Sequence, residues 1–244
     1  MKTILALDSS SENCSVAVSH QHLMSLRSEH APRKHTQLML PLMKQELTER
    51  SLQLDDVDAI AFGAGPGSFT GIRIAAGVAQ GLAYGLDVPI YAISNLKALA
   101  LQGYLKDKSP VVLACTDARM GEVYWGLFKV FEDRVEEQGL RFTRYTVTAL
   151  TKEQVNSPEL VSLPSECLAL VSNETLSGIG SGIELLDSSV LQLISKIDPN
   201  AHANADTIAF LAETAMSEGK PGELNKALPS YVRDTVTWNK LPGR

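Results

Sequence analysis

Two short apolar runs open the chain, residues 3–8 and 14–19, separated by the polar stretch Ser9-Ser-Ser-Glu-Asn13. Apolar runs of this length bounded by turn-forming residues predict strands, and 22–29 supplies a third to pair with them. The period then changes. Residues 36–50 place Leu38, Met39, Leu40, Leu42, Met43 and Leu47 at helical spacing, with Thr36 as the candidate cap and Pro41 in or near the first turns. These apolar positions cover more than one narrow stripe, which predicts burial on two sides or an exposed apolar patch. A strand follows at 57–62, a helix at 70–86 capped by Ser68 or Thr70, a strand at 89–93 and a helix at 95–105.

A similar succession begins near Pro110. Residues 111–116 predict a strand, 117–121 a turn, 122–131 an alternating strand and 135–143 its continuation in the sheet. The remaining signals predict a short helix at 151–156, a strand at 167–171, a glycine turn at 178–182 and a helix at 190–197. A further helix runs from Asp206 to Met216, stopped by Gly219, Pro221 and Gly222, and residues 231–240 read as an extended tail. Three strands followed by alternating helices and strands, given twice, predict an α/β protein of two lobes. The expected division is an N-terminal lobe of residues 1–105, completed by 205–244, and a C-terminal lobe of 106–204.

The segment Ala61-Phe-Gly-Ala-Gly-Pro-Gly-Ser-Phe-Thr-Gly-Ile-Arg73 is the most unusual in the chain. Its glycines suit a backbone that turns sharply and approaches something closely. In the helix that follows, Gly77, Gly81 and Gly85 recur every fourth residue and so share one face. Each interior glycine costs about 1 kcal/mol relative to alanine, so a stripe of three calls for a compensating contact. A second helix packed at close range would supply it, either within the domain or on a partner. The segment is neither a P-loop, since no Gly-Lys-Ser/Thr follows, nor a Rossmann fingerprint, since Ser68 and Thr70 stand where the last glycine would fall.

Composition narrows the classes. With 44% hydrophobic and 20% charged residues over 244 positions, the chain is an ordinary globular sequence. No secretory leader or transmembrane span is read from it. Its three cysteines, Cys14, Cys115 and Cys167, lack C-x-x-C spacing and read as small buried hydrophobes of a reducing compartment; a cytoplasmic protein is expected. A net charge of −6 with no basic cluster excludes strong direct nucleic-acid binding by this chain alone. There is no G-x-S-x-G elbow. No two of the five histidines stand four apart, so no metal site is expected.

Together, the strand–Asp8–serine-turn–strand opening and the glycine segment resemble the superfamily of actin, sugar kinases and heat-shock-chaperone ATPases. Within it, Lys34-His-Thr-Gln-Leu-Met-Leu-Pro41, the glycine segment, Asp117-Ala-Arg-Met-Gly-Glu-Val-Tyr-Trp125 and the tail from Tyr231 to Trp238 are similar, end to end, to the TsaB (YeaZ) family of bacterial tRNA threonylcarbamoyladenosine biosynthesis proteins. The resemblance implies a two-lobed ATPase-like fold and a non-catalytic subunit. That subunit would pair with a catalytic paralogue, TsaD, through N-lobe helices, be joined by a small ATPase, TsaE, self-associate through the same surface when alone, and meet tRNA only through the complex. It places the partner face on Leu38, Leu42, Met43, Arg73, Ile74, Gly77, Val78, Gly81 and Gly85. Asn95 and Leu99 stand where the paralogue's two metal-binding histidines would fall, which implies loss of that metal.

One nucleotide reading stays open beside it. Asp8 with Ser9, Ser10 and Ser11 occupies the position at which superfamily members organise magnesium and phosphate, although the turn lacks their glycine. This supports an alternative, an ATP-binding phosphotransferase or ATPase acting between the lobes; no cofactor is expected on the first reading. The plain structural alternative is that Asp8 bonds its own turn. Asp117, Arg119 and Glu122 read as an ion-paired turn, a hinge or a partner contact.

Overall fold

Within the computed structural model, residues 2–137 and 139–232 are described. β1 (Thr3–Asp8) is buried along its whole length, which follows from its central place in a sheet covered on both faces. β2 (Asn13–His20) and β3 (Leu23–His30) pair with it in antiparallel succession, α1 (His35–Glu49) follows, and β4 (Ala59–Gly65) lies parallel on the other side of β1. After α2 (Phe69–Leu86), β5 (Ile90–Ser94) completes a sheet of order β3-β2-β1-β4-β5, and α3 (Asn95–Asp107) leads away from it.

The second half repeats this plan. β6 (Val111–Arg119), β7 (Glu122–Glu137) and β8 (Leu140–Ala149) form an antiparallel meander, with β9 (Gln154–Asn156) pairing with β7. Then come α4 (Ser165–Val171), β10 (Leu176–Ile179), α5 (Ser188–Leu191) and β11 (Lys196–Asp198), and α6 (Ala205–Ser217) returns to the first sheet. The order β11-β10-β6-β7-β8 is the first sheet's order read from the other edge. The expected α/β fold with two strand–helix units is present.

Alternation along β1 distributes its side chains to two cores. Leu5 and Leu7 meet Met39, Leu42, Met43 and Leu47 of α1 and Ala75, Ala76, Ala79 and Ala83 of α2. Ile4 and Ala6 face a layer formed by α3 and α6, whose Leu96, Leu99, Ile208 and Ala212 also pack on Val112, Ala114 and Phe128 of the second sheet. A third cluster closes the far face of that sheet around Leu113, Trp125, Leu127 and Cys167.

Several expectations are corrected. α1 starts at His35, with Lys34 rather than Thr36 in the cap position and no side-chain cap; the His35 ring N–H instead donates to the Ser11 carbonyl at 3.0 Å. Its apolar residues form one buried face with His35 and Glu46, leaving mainly Leu40 exposed. Part of the helix expected at 151–156 is β9, because β7 offers a free ladder edge and Trp125 donates its indole N–H to Asn156. Residues 167–171 lie in α4, entered from Pro164, rather than in a strand. The glycine turn at 178–182 begins inside β10, whose position next to β6 overrides local turn propensity. The helix expected at 190–197 ends at Leu191, and 196–198 pairs with β10. Apart from Tyr231 and Val232, the expected tail lies outside the described residues.

Candidate partner face and the buried Asp8 network

Asp8 ends β1 with no exposed surface. Its Oδ2 accepts from the Ser10 backbone N–H at 3.1 Å and the Ser10 hydroxyl at 3.0 Å, and its Oδ1 accepts from the Asn95 amide at 2.7 Å. Asn95 is held at the start of α3, where Ser94 caps the helix by accepting from the Lys97 N–H. The same Asn95 amide reaches Ser10 Oγ at 2.8 Å, while Asn95 Oδ1 accepts from the Gly65 N–H at 2.6 Å. One side chain therefore ties the serine turn to the glycine loop.

That loop lies directly on the turn. The Ser68 N–H donates to the Ser10 carbonyl at 2.7 Å, and the Ser9 hydroxyl donates to the Gly71 carbonyl at 2.8 Å. A Cβ added at Gly63 would stand 2.1 Å from Asp8 Oδ1, and one at Gly71 would stand 1.8 Å from the Ser9 carbonyl oxygen. The glycines thus bring loop and turn into contact with each other. Ser10 N–H, Ser9 Oγ, Ser10 Oγ and Ser11 Oγ all have internal partners. A magnesium-bound phosphate does not fit the Asp8 carboxylate in this arrangement, since it is enclosed and both its oxygens accept internal hydrogen bonds.

Beyond the loop, α2 starts where Ser68 Oγ accepts from the Gly71 N–H. The helix has two small-residue stripes with opposite surroundings. Ala75, Ala79 and Ala83 are buried against the sheet, whereas Cβ atoms added at Gly77, Gly81 and Gly85 would meet nothing within 4 Å. No helix of the described residues packs on the glycine stripe. Phe69 and Arg73 extend the same four-residue series toward the N-terminus, with the Arg73 guanidinium 3.2 Å from the Phe69 ring centre and 5.2 Å from that of Tyr231. Tyr84 stands 79% exposed beside Gly85. Of the other residues expected on this face, Ile74, Val78 and Leu38 are half-buried, packing against the core. Leu42 and Met43 are buried in it and cannot line a surface of the folded chain: they lie on the side of α1 that meets the sheet. Phe69 and Tyr84 also stand exposed on this helix, and only their exposure distinguishes them from core aromatics.

A family model described as TsaD, tRNA N6-adenosine threonylcarbamoyltransferase, matches residues 25–240. The tRNA threonylcarbamoyladenosine biosynthesis protein TsaB of Haemophilus influenzae is 37% identical, the alignment covering 99% of this chain and 98% of that protein. The Escherichia coli protein of the same name is 36% identical over 99% of both chains. This chain belongs to the TsaB family. YeaZ from Pseudomonas aeruginosa, a solved structure, has a TM-score of 0.79 at 37% identity, over 95% of this chain and all of that one.

In this TsaB-family chain the second sheet repeats the loop-on-turn contact: a Cβ at Gly180 would lie 2.4 Å from the Cys115 carbonyl oxygen, and the Asp117 N–H donates to Ser181 Oγ at 3.2 Å. Asp117, unlike Asp8, reaches solvent and pairs with exposed Arg119 at 3.1 Å, an interaction worth about 0–1 kcal/mol. Leu99 is buried in the layer between the sheets, and Asn95 is spent on the network above. Among the described residues no group of three His, Cys, Asp or Glu is placed to hold a metal ion, and no helix is long and apolar enough to cross a membrane.

Burial raises the Asp8 carboxyl from 3.8 to about 6, with the Asn95 and Ser10 hydrogen bonds partly opposing it. A raised carboxyl binds its proton more tightly in the folded state, so Asp8 makes stability fall as pH rises from about 4 to about 6. The full effect is about 3 kcal/mol. Asp8→Asn is expected to remove this slope, measured as the difference between the two proteins' unfolding free energies in urea from pH 4 to pH 7. Parallel curves would show that Asp8 does not titrate in this window.

Proposed function

We propose that this chain acts in tRNA threonylcarbamoyladenosine biosynthesis as a non-catalytic binding subunit, with α2 and the exposed edge of α1 presented to a catalytic paralogue of the threonylcarbamoyltransferase family. The observation that carries this reading is the glycine stripe Gly77–Gly81–Gly85, at which an added Cβ would meet nothing within 4 Å among the described residues. A stripe unfavourable to its own helix and without a partner among the described residues is accounted for by an external helix approaching the bare backbone. The names of the relatives supply the pathway. A lobe boundary near residue 105, a small ATPase as third member, a homodimer through the same face in the absence of the paralogue, tRNA met through the complex and a cytoplasmic location belong to the same proposal. The competing phosphotransferase reading would need Asp8 to reach a ligand from its enclosed position.

Calorimetric titration of the chain with the catalytic paralogue of the same cell tests the proposal, paired with a magnesium-ATP titration of the chain alone. Saturable protein binding with no nucleotide heat is the expected result. Nucleotide binding that Asp8→Ala abolishes, without protein binding, would reverse the assignment.

A further inference from the structure

We infer that Asp8, Ser9, Ser10 and Asn95 form a lock that positions the N-terminus of the partner-facing helix: the serine turn holds α2 in register on the sheet. This rests on the partner-face reading above for its functional meaning, though its geometry stands alone. The contacts converge from four segments. Asp8 and the serine turn leave β1, Asn95 opens α3, Gly65 ends β4, and Ser68 and Gly71 begin α2. Asn95 bonds three of these partners, Asp8, Ser10 and Gly65. The turn then bonds the helix twice, through the Ser10 carbonyl to Ser68 and through the Ser9 hydroxyl to Gly71. His35 adds a fifth element by donating to the Ser11 carbonyl, so the start of α1 is tied to the same turn.

Both helices nearest the proposed partner are therefore referenced to one buried turn. Polar groups enclosed in this way specify a single arrangement, because any displacement leaves a buried donor or acceptor unpaired. The lock's place relative to the surface is short: Ser68 caps α2, and Phe69 and Arg73 lie in its first two turns. A shift of the turn would tilt or translate the row that continues into Gly77 and Gly81. Ser9, Ser10 and Asn95 are thus positioning residues for the interface and touch no partner themselves.

Ser9→Ala is the mild test, since it removes only the bond to the Gly71 carbonyl. Expected is an increase of about tenfold in hydrogen exchange at the Ser68 and Ile72 amides, with exchange in β6 and β7 unchanged, and a weaker complex with the catalytic paralogue by a similar factor. Asn95→Ala should give a larger local effect if it folds. A general loss of stability would accelerate β6 and β7 as well, which separates positioning from mere destabilisation. Unchanged protection at Ser68 and Ile72 in Ser9→Ala would overturn the lock. Faster local exchange with unchanged affinity in a complex that forms would overturn its role in the interface. If no complex forms with the wild-type chain, the partner-face reading fails while the exchange result still decides the lock.

Discussion

Gly81→Leu is expected to weaken association with the catalytic paralogue by about 30-fold or more, the scale of an interface hot spot, while the monomeric free chain becomes more stable. The two effects have opposite signs for one physical reason. In the monomer a Cβ at this position meets nothing within 4 Å among the described residues, and replacing glycine in an exposed helix interior gains about 0.8 kcal/mol through propensity. For a chain of this size that raises the melting temperature by about 2–3 °C. In a complex, the same side chain would stand where the partner's backbone approaches. Calorimetry with the paralogue and a thermal melt of the free variant read the two effects separately. Undiminished affinity in a folded Gly81→Leu protein would move the interface elsewhere. A lowered melting temperature at a concentration where both proteins are monomeric would show that the stripe is covered within the chain.

Gly71→Ala, ten residues earlier on the same helix, is expected to do the reverse to stability. Its Cβ would be placed 1.8 Å from the Ser9 carbonyl oxygen, a backbone atom in the locked turn that has no rotamer by which to retreat. Overpacking of well-filled sites costs about 1–3 kcal/mol, and more where backbone must move. A loss of about 3 kcal/mol or more is therefore expected, lowering the melting temperature by about 10 °C. A melt and a urea titration against Gly77→Ala, which adds the same methyl group to open space, provide the comparison. Equal melting temperatures for the two variants would show that the loop can lift off the turn without penalty.

These two glycines mark the limit of what sequence pattern resolves. Both stand in one helix, and four-residue spacing places Gly77, Gly81 and Gly85 on one stripe and Gly71 with Ala75, Ala79 and Ala83 on another. Spacing does not say which stripe meets the sheet. Ala75, Ala79 and Ala83 do so because α2 must cover Leu5, Leu7 and Phe62, and burying alanine there removes apolar surface from water that glycine lacks. The glycine stripe is then outward by geometry. The same logic separates Leu42 and Met43 from Leu40 on α1: all three are apolar neighbours, but a helix has only one side toward a given sheet.

The β4 strand with its glycine segment, the capped helix beginning beside Ser68 and the double strand–helix succession were legible because local signals and tertiary structure agree there. Three segments between residues 151 and 198, those that hold β9, β10 and β11, differ from expectation for another reason. β9, β10 and β11 are three or four residues long, too short to carry a period of their own, and exist because neighbouring strands offer backbone partners. Asn95 shows the same limit at the site. In sequence it is only an asparagine at a helix start; its contacts to Asp8, Ser10 and Gly65 span up to 87 positions.

By itself, then, the sequence determined the alternation of strands and helices, the family through four dispersed motifs, and the presence of a helix face without side chains. Those properties are local or are carried by residue identity. Only the tertiary structure decided that this face is left uncovered by the described residues, that Leu42 and Met43 are buried, and that Asp8 is enclosed by the glycine loop. Each of these depends on which groups from distant positions reach the same few ångströms, and on whether buried polar atoms find partners there.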